Sequence, residues 1–516
     1  MMGDSILNLV RNHATQTPGA PCLSFETETL NYGDMYQRCR RVAQALAQQG
    51  VKAGDRVAIL ARNSPAQYEL LFGCGIIGAI LLPVNWRLAP REVADILADA
   101  EPSLLIIEGD FRDLLAEAEM PIETMDLHAD YPAWREAASA EAPEQPITPD
   151  TPALMLYTSG TTGRPKGAVL SHRNLSYMNR MAGELWDFPA DGVNLVAMPL
   201  FHIGGIGYGL SAFGRGGHTV LMQQVIPVDI VEAIRQHRVT HGFFVPTVIQ
   251  MLMEVPGVAE MNMSSLKCML YGGAPIGEAV LKRAMEMFRC GFIHCYGMTE
   301  TAGTVITLVP EDHDPGGPRA HRLRSCGLPM PWAELALINP ETGEAVSTGD
   351  VGEIRIRSAV NMLGYWNKPE ETAKTITSDG WLCTGDAAYQ DADGYVYIHD
   401  RFKDMIVSGG ENIYPTEIEN ALFEHPGVAQ VAVIGVAHQR WGETPKAFVV
   451  AREGARLSEA ELIQFTRDRL AHYKCPTSVA FVAALPKLNG GHTRECKGDE
   501  DLGKTHTTAT RMMLHA

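Results

Sequence analysis

Between Arg56 and Gly109 the chain alternates short apolar runs with helix-like segments, and no other feature limits its fold as much. RVAIL (Arg56 to Leu60) leads into a helical stretch ending near Gly78, and AILLPVN (Ala79 to Asn85) leads into the polar helix APREVADILADA (Ala89 to Ala100), after which comes SLLIIEG (Ser103 to Gly109). Strands apolar on both faces, each followed by a crossover helix, specify parallel βαβ units covered on both sides. LVAMPL, HTVLM, HGFFV and KCMLYGG form a second such series. Farther on, GEIRIRS (Gly352 to Ser358) and GYVYIHDR (Gly394 to Arg401) alternate with period two, as half-buried antiparallel strands do.

After RFKDMIVSGGENIYP the texture changes. A helix is expected from about Pro415, then the strands VAQVAVIGV and KAFVVAR, a helix opened by a Ser458/Glu461 capping box, and the strand SVAFVAAL. At 516 residues the chain exceeds the size of a single growing core. The expected fold is α/β: a large N-terminal domain of several subdomains with βαβ-type sheets over residues 1–402, and a small C-terminal α+β domain over residues 403–516.

A net charge of -18 without any basic tract argues against nucleic acid as a partner, because phosphate backbones are held by clustered Lys and Arg. Ten cysteines occur without a C-x-x-C pair, which suits buried, reduced thiols. The N-terminus MMGDSILNLVRNHA lacks the cationic start and long apolar core of a signal peptide. The most apolar run, Leu71 to Val84, is too short to span a bilayer and reads as buried core. A cytoplasmic protein with no integral membrane segment is expected; a homodimer is compatible with the sequence, which does not specify oligomeric state.

The stretch YTSGTTGRPKGAVLSH, Tyr157 to His172, surrounds one lysine with hydroxyls and glycines. It is not a Walker loop: aligned on Lys166, Pro165 stands where the second glycine belongs and Gly167 where the magnesium-binding hydroxyl belongs. Yet Gly160, the backbone amides and the hydroxyls of Thr158, Ser159, Thr161 and Thr162 can converge on an anion beside Lys166. A surface turn has the same composition. YGGAP (Tyr271 to Pro275) and YGMTE (Tyr296 to Glu300) each follow an apolar strand, so both tyrosines fall at carboxyl ends of strands, where open α/β sheets bind ligands. There a tyrosine offers a ring face, Thr299 a hydroxyl and Glu300 a hard oxygen for magnesium, although a glutamate at a strand end is commonly only a solvated carboxylate. TGD (Thr384 to Asp386) and DRFKD (Asp400 to Asp404) add a carboxylate and a guanidinium.

Taken together, LYTSGTTGRPKGAVLSH, PLFHIGG, YGGAP, YGMTE, WLCTGD, DRFKDMIVSGGENIYPTEIE and RWGE resemble, in order, the adenylate-forming superfamily, in particular its acyl-coenzyme A ligases. The resemblance extends to about Pro486. It implies a two-step reaction in which a carboxylate attacks the α-phosphorus of ATP, giving acyl-adenylate and pyrophosphate, after which the coenzyme A thiol displaces AMP. ATP, magnesium and coenzyme A are the implied cofactors. The resemblance puts the β- and γ-phosphates in the loop from Thr158 to Lys166, adenine on Tyr296 beside Gly272, Gly273, Ala274 and Gly297, and the α-phosphate at Thr299. It makes Glu300 the magnesium ligand and gives the ribose hydroxyls to Asp386 and Arg401. His202 lines or gates the acyl pocket, Gly409, Trp441 and Tyr473 meet coenzyme A, and Lys403 is the hinge of a mobile C-terminal lid. Gly204, Gly205, Gly207 and Gly209 either leave room for an acyl chain or allow close helix packing.

The family's last motif, P-K-x-x-x-G-K, is broken: PKLNGGHTRECKG puts His492 where its catalytic lysine belongs. Histidine is shorter and about neutral at pH 7, so either adenylation is impaired or Lys497 or Lys504 stands in. The disagreement begins near Leu488 and does not recover, as a reading-frame change would produce. The expected acid is a medium or long fatty acid, because no charged side chain stands out among the pocket candidates near residues 202, 243 and 271. Aryl or arylalkanoic acids come next, then a nucleotide-binding homologue impaired in adenylation. An amino-acid-activating domain is disfavoured, since FFVPT carries no acid for a substrate amino group.

Overall fold

The computed structural model describes residues 5–118, 122–143, 145–158, 165–401, 406–408, 411–438, 441–470 and 472–485. Contacts divide the chain into two compact units. The first runs to Gly273 and includes Lys282–Glu334 and Ile356–Leu382; the second takes Ala274–Leu281, Leu335–Arg355 and the chain from Cys383 onward.

In the first unit the expected alternation becomes a seven-stranded sheet, ordered Gly364–Tyr365, Lys166–Ser171, Pro152–Thr158, Ile80–Val84, Arg56–Leu60, Leu104–Ile107 and Thr124–Asp126. The strands from Pro152–Thr158 through Thr124–Asp126 are parallel, and the hairpin and edge strand at the other end are antiparallel. The crossover helices Pro65–Ile77 and Pro90–Ala100 start where the sequence places proline in the first turn, at a position whose N–H would be unpaired anyway. Gln67 and Glu92 then accept from the Ser64 and Ala89 amides, each at 2.8 Å. Gly78, at φ +72, closes the first helix in a left-handed conformation that a Cβ would oppose.

Every residue of the Pro65–Ile77 helix from Ala66 onward is buried, as the apolar run predicts. Its one carboxylate, Glu69, is 1% exposed. Arg135 donates to both Glu69 oxygens at 3.0 and 2.8 Å, Tyr131 donates at 2.9 Å, and Arg38 at 3.3 Å. The helices Tyr32–Gln48 and Tyr131–Ala137 are thus tied to the buried one through a single charge.

A nine-stranded sheet is ordered Leu328–Pro329, Gly303–Leu308, Gly291–Met298, Cys268–Gly272, His241–Phe244, Val193–Val196, His218–Leu221, Pro21–Phe25 and Glu28–Asn31, and its centre is parallel. The helix Ile203–Arg215 packs against this sheet. Its glycines serve close packing: a Cβ on Gly205 would lie 2.1 Å from the Pro199 carbonyl oxygen, and one on Gly209 1.7 Å from the Tyr68 hydroxyl. Gly205→Ala is expected to lower stability by about 1–3 kcal/mol, read as a fall in the thermal midpoint. An unchanged midpoint would show that this backbone yields freely.

The period-two strands join a four-stranded sheet ordered Ala333–Ile338, Gly352–Ser358, Leu382–Gln390 and Val396–Arg401. In the second unit a five-stranded sheet is built on the long antiparallel pair Val428–His438 and Gly442–Ala451. Helices Pro415–Phe423 and Glu459–Arg467 contribute Ile418, Leu422 and Leu462 to its core. The Ser458/Glu461 capping box forms, with both bonds at 3.3 Å. Among the described residues no helix is long and apolar enough to cross a membrane.

Candidate active site

The strands Pro152–Thr158 and Lys166–Ser171 pair antiparallel, with Thr158 directly opposite Lys166. They bracket the hydroxyl-rich loop; Ser159, Gly160, Thr161 and Thr162 themselves lie outside the described residues. A second element reaches the same place from the nine-stranded sheet. After the strand Gly291–Met298 the chain makes one short turn, Thr299–Thr301, held by the Met298 amide donating to Thr301 Oγ1 at 3.0 Å. That turn delivers Glu300, only 5% exposed, to the base of the loop. Thr158 Oγ1 donates to Glu300 Oε1 at 3.4 Å, and the Tyr365 hydroxyl donates to the same oxygen at 2.7 Å. Glu300 Oε2 receives no hydrogen bond among the described residues.

No cluster of three or more His, Cys, Asp or Glu is arranged to hold an ion among the described residues. A single buried carboxylate with one uncommitted oxygen nevertheless fits magnesium, which is commonly bound through one or two carboxylates with substrate phosphates and water completing its shell. Burial, with the Glu300 carboxylate beside it, pushes the Tyr365 phenol well above its ordinary pKa, so this hydroxyl remains a donor at neutral pH.

Lys166 has a side chain 9% exposed, and its ammonium donates to Glu371 Oε2 at 2.5 Å. The ammonium also lies 5.2 Å from the centre of the Tyr365 ring. Glu371 Oε1 accepts from Lys374 at 2.8 Å, and the two lysines, Lys166 first, hold the Glu371 carboxyl down to about 2. Tyr365 and Glu371 are fixed by one segment: Gly364–Tyr365 adds to the edge of the sheet beside Ala168 and Val169, and the Trp366 amide donates to the Gly167 carbonyl at 2.8 Å. Lys368, paired with Asp99 at 2.5 Å, pins its far side.

Tyr296 and Gly297 lie at the end of the strand Gly291–Met298, just past the Gly272↔Cys295 register pair, which puts Tyr296 beside Gly272 and Gly273. A Cβ on Gly272 would lie 2.1 Å from the Cys295 carbonyl oxygen, so this approach of strands requires glycine. Thr299 is half-buried next to Glu300, and Ala274 is half-buried after Gly273. Tyr271 differs from expectation: its ring is 1% exposed, and its hydroxyl shares a 3.0 Å hydrogen bond with His313. It is a core residue, because side chains alternate along a strand and this one faces inward.

His202 precedes the helix Ile203–Arg215 and is exposed, yet its imidazole is pushed down to about 4 by the protein around it and by the Arg87 guanidinium. The ring is neutral at pH 7 and so offers hydrogen bonding and a ring face rather than a counter-charge. Phe201 packs 4.6 Å from it, and Arg87 lies over Trp86 at 4.7 Å and Phe201 at 5.6 Å. Arg87 is thus a cation beside His202 that was not among the residues singled out from the sequence. A lone arginine in NWRLAP gives no local sign of its spatial neighbours.

In the second unit, Asp386 stands directly opposite Arg401 in the antiparallel pair Leu382–Gln390 and Val396–Arg401. The side chain of Arg401 is outside the described set, as are Lys403, Gly409, His492, Lys497 and Lys504. Trp441 is described and 44% exposed. Sequence reasoning passed over Tyr365, Glu371 and Lys374, since GYWNKPEETAK carries no periodicity, and Tyr365 and Glu371 gain their meaning only from Glu300 and Lys166, distant along the chain.

Residues 10–366 match the family described as AMP-binding enzyme, and residues 417–494 match AMP-binding enzyme C-terminal domain. The chain is 39% identical over 487 residues to a fatty acid–[acyl-carrier-protein] ligase, ScoC, of Streptomyces coeruleorubidus, covering 93% of each chain. It is also 39% identical over 488 residues to a feruloyl-CoA synthase of an Amycolatopsis species, covering 93% of this chain and 95% of that one. Among solved structures, o-succinylbenzoate coenzyme A synthetase of Bacillus subtilis in complex with ATP and magnesium superposes with a TM-score of 0.82 at 30% identity, over 94% of this chain and 97% of that one.

Proposed function

This chain belongs to the AMP-binding enzyme family, and from that premise we propose that it is an AMP-forming acid–thiol ligase converting a carboxylic acid to its coenzyme A thioester through an acyl-adenylate. One observation carries the reading: Thr158 at the base of the lysine loop and Glu300 from the other sheet meet at 3.4 Å. A loop of hydroxyls and glycines ending in a buried lysine suits a triphosphate, and a carboxylate at its base suits the accompanying cation. Had the two opened on separate surfaces, the motifs would have had no common chemistry.

In this reading Lys166 and the loop hydroxyls, from Thr158 to Thr162, take the β- and γ-phosphates. Tyr296, with Gly272, Gly273, Ala274 and Gly297 beside it, takes adenine; Thr299 takes the α-phosphate; Asp386 and Arg401 take the ribose hydroxyls. Glu300, oriented by Thr158 and Tyr365, would hold magnesium through Oε2, and the ion would add positive charge against the phosphates. Catalysis of nucleotidyl transfer rests on such positioning and charge neutralisation. His202, neutral at pH 7, would line the acid site. Gly409 and Trp441 would meet coenzyme A, Lys403 would be the hinge between half-reactions, and residues 1–402 and 403–516 would act as body and lid.

For the acid, a medium or long fatty acid is the first assignment, supported by the fatty-acid ligase of Streptomyces coeruleorubidus. An aryl acid is the second, supported by the feruloyl-CoA synthase at the same identity. Pyrophosphate release across a panel of fatty and aryl acids, with ATP, magnesium and coenzyme A, separates them. The expected result is release with medium or long fatty acids and formation of their thioesters. Release without thioester would replace coenzyme A with another thiol acceptor. ATP binding with no release for any acid would leave a nucleotide-binding homologue impaired by His492.

A further inference from the structure

We propose that Glu371 is a stand-in for the nucleotide's β,γ-phosphates: it holds the Lys166 ammonium when no triphosphate is bound, gives it up when ATP enters, and recaptures it as pyrophosphate leaves. The proposal rests on the assignment of the lysine loop to ATP. Its ground is the pair itself, Lys166 Nζ to Glu371 Oε2 at 2.5 Å, formed by a lysine side chain only 9% exposed. An ammonium so enclosed needs an anionic partner in every state, because leaving a buried charge unpaired is costly. With phosphates absent, Glu371 is that partner.

Lys374 makes the exchange reversible. It donates to the other oxygen of Glu371 at 2.8 Å, and its own side chain is 69% exposed. When Lys166 turns to phosphate, Glu371 keeps a cation, and no charge is stranded on either side of the exchange. The carboxylate, held down to about 2, is ionised throughout the range in which an enzyme is assayed, so the exchange answers to phosphate and not to pH. Tyr365 remains beside Lys166 in either pairing, since its hydroxyl is engaged with Glu300.

The exchange distinguishes ligands that carry β- and γ-phosphates from those that do not. Glu371→Gln is expected to bind ATP, measured calorimetrically without acid substrate, about three- to tenfold more tightly than the unaltered protein. Binding of AMP should be unchanged, and pyrophosphate should become a stronger product inhibitor. Lys374→Ala, a change at an exposed side chain that keeps the fold testable, is expected to weaken ATP binding while leaving AMP binding unchanged. A purely bracing role predicts weaker ATP binding in Glu371→Gln, and that result, or equal shifts for ATP and AMP, would overturn the exchange alone. If the unaltered protein binds no ATP, the assignment of the loop falls and the exchange with it.

Discussion

Glu300→Gln is expected to slow pyrophosphate release from ATP and a carboxylic acid by about 10²- to 10³-fold, the usual consequence of removing one preorganised charge from a reacting centre. Glutamine keeps the shape, and its amide oxygen can still accept from Tyr365 and Thr158, which donate to Oε1 in the native site. What is lost is the negative charge on the uncommitted oxygen. The magnesium concentration for half-maximal rate should therefore rise as well, while the thermal midpoint changes little. A magnesium titration of the variant checks both points, and an unchanged requirement for the ion would remove Glu300 from the metal site.

The second large effect concerns stability. Glu69→Ala is expected to destabilise the first unit by about 3–5 kcal/mol, because it takes away the buried partner of the Arg135 guanidinium, whose side chain is 10% exposed, and leaves it only the exposed Glu136. Tyr131 loses its acceptor at the same time. Pairing the change with removal of the arginine, as Glu69→Leu with Arg135→Leu, should recover much of the loss, since an apolar pair of matching volume leaves no uncompensated charge. Thermal unfolding of the single and double variants is the check. If the double variant is as damaged as the single one, shape rather than charge governs that site.

Local pattern carried the fold a long way. The strands Arg56–Leu60, Ile80–Val84 and Leu104–Ile107 and the helices between them lie where apolar runs, proline and Gly78 put them. Of the candidate site, Lys166, Thr158 and Glu300 could be singled out because each stands at or just past the end of a strand with a recognisable flank, and open α/β sheets bind ligands at strand ends. Tyr271 was misread for a related reason: period two says which residues share a face but not which face is inward. Glu371 and Arg87 were illegible for a different one. Each is defined by a partner from another element, Lys166 in one case and His202 in the other, and local spacing does not encode such pairings.

The helix Pro65–Ile77 has no wet side. Its neighbour Tyr32–Gln48 keeps a polar stripe on which evolution can change charge and length at little cost. On the sealed helix the only neutral steps are exchanges between apolar residues of similar bulk, and Glu69 can change only in concert with its arginines. Divergence in this part of the molecule must therefore proceed by paired or volume-matched replacements, leaving the enclosed rod as a slow clock inside a faster-changing shell.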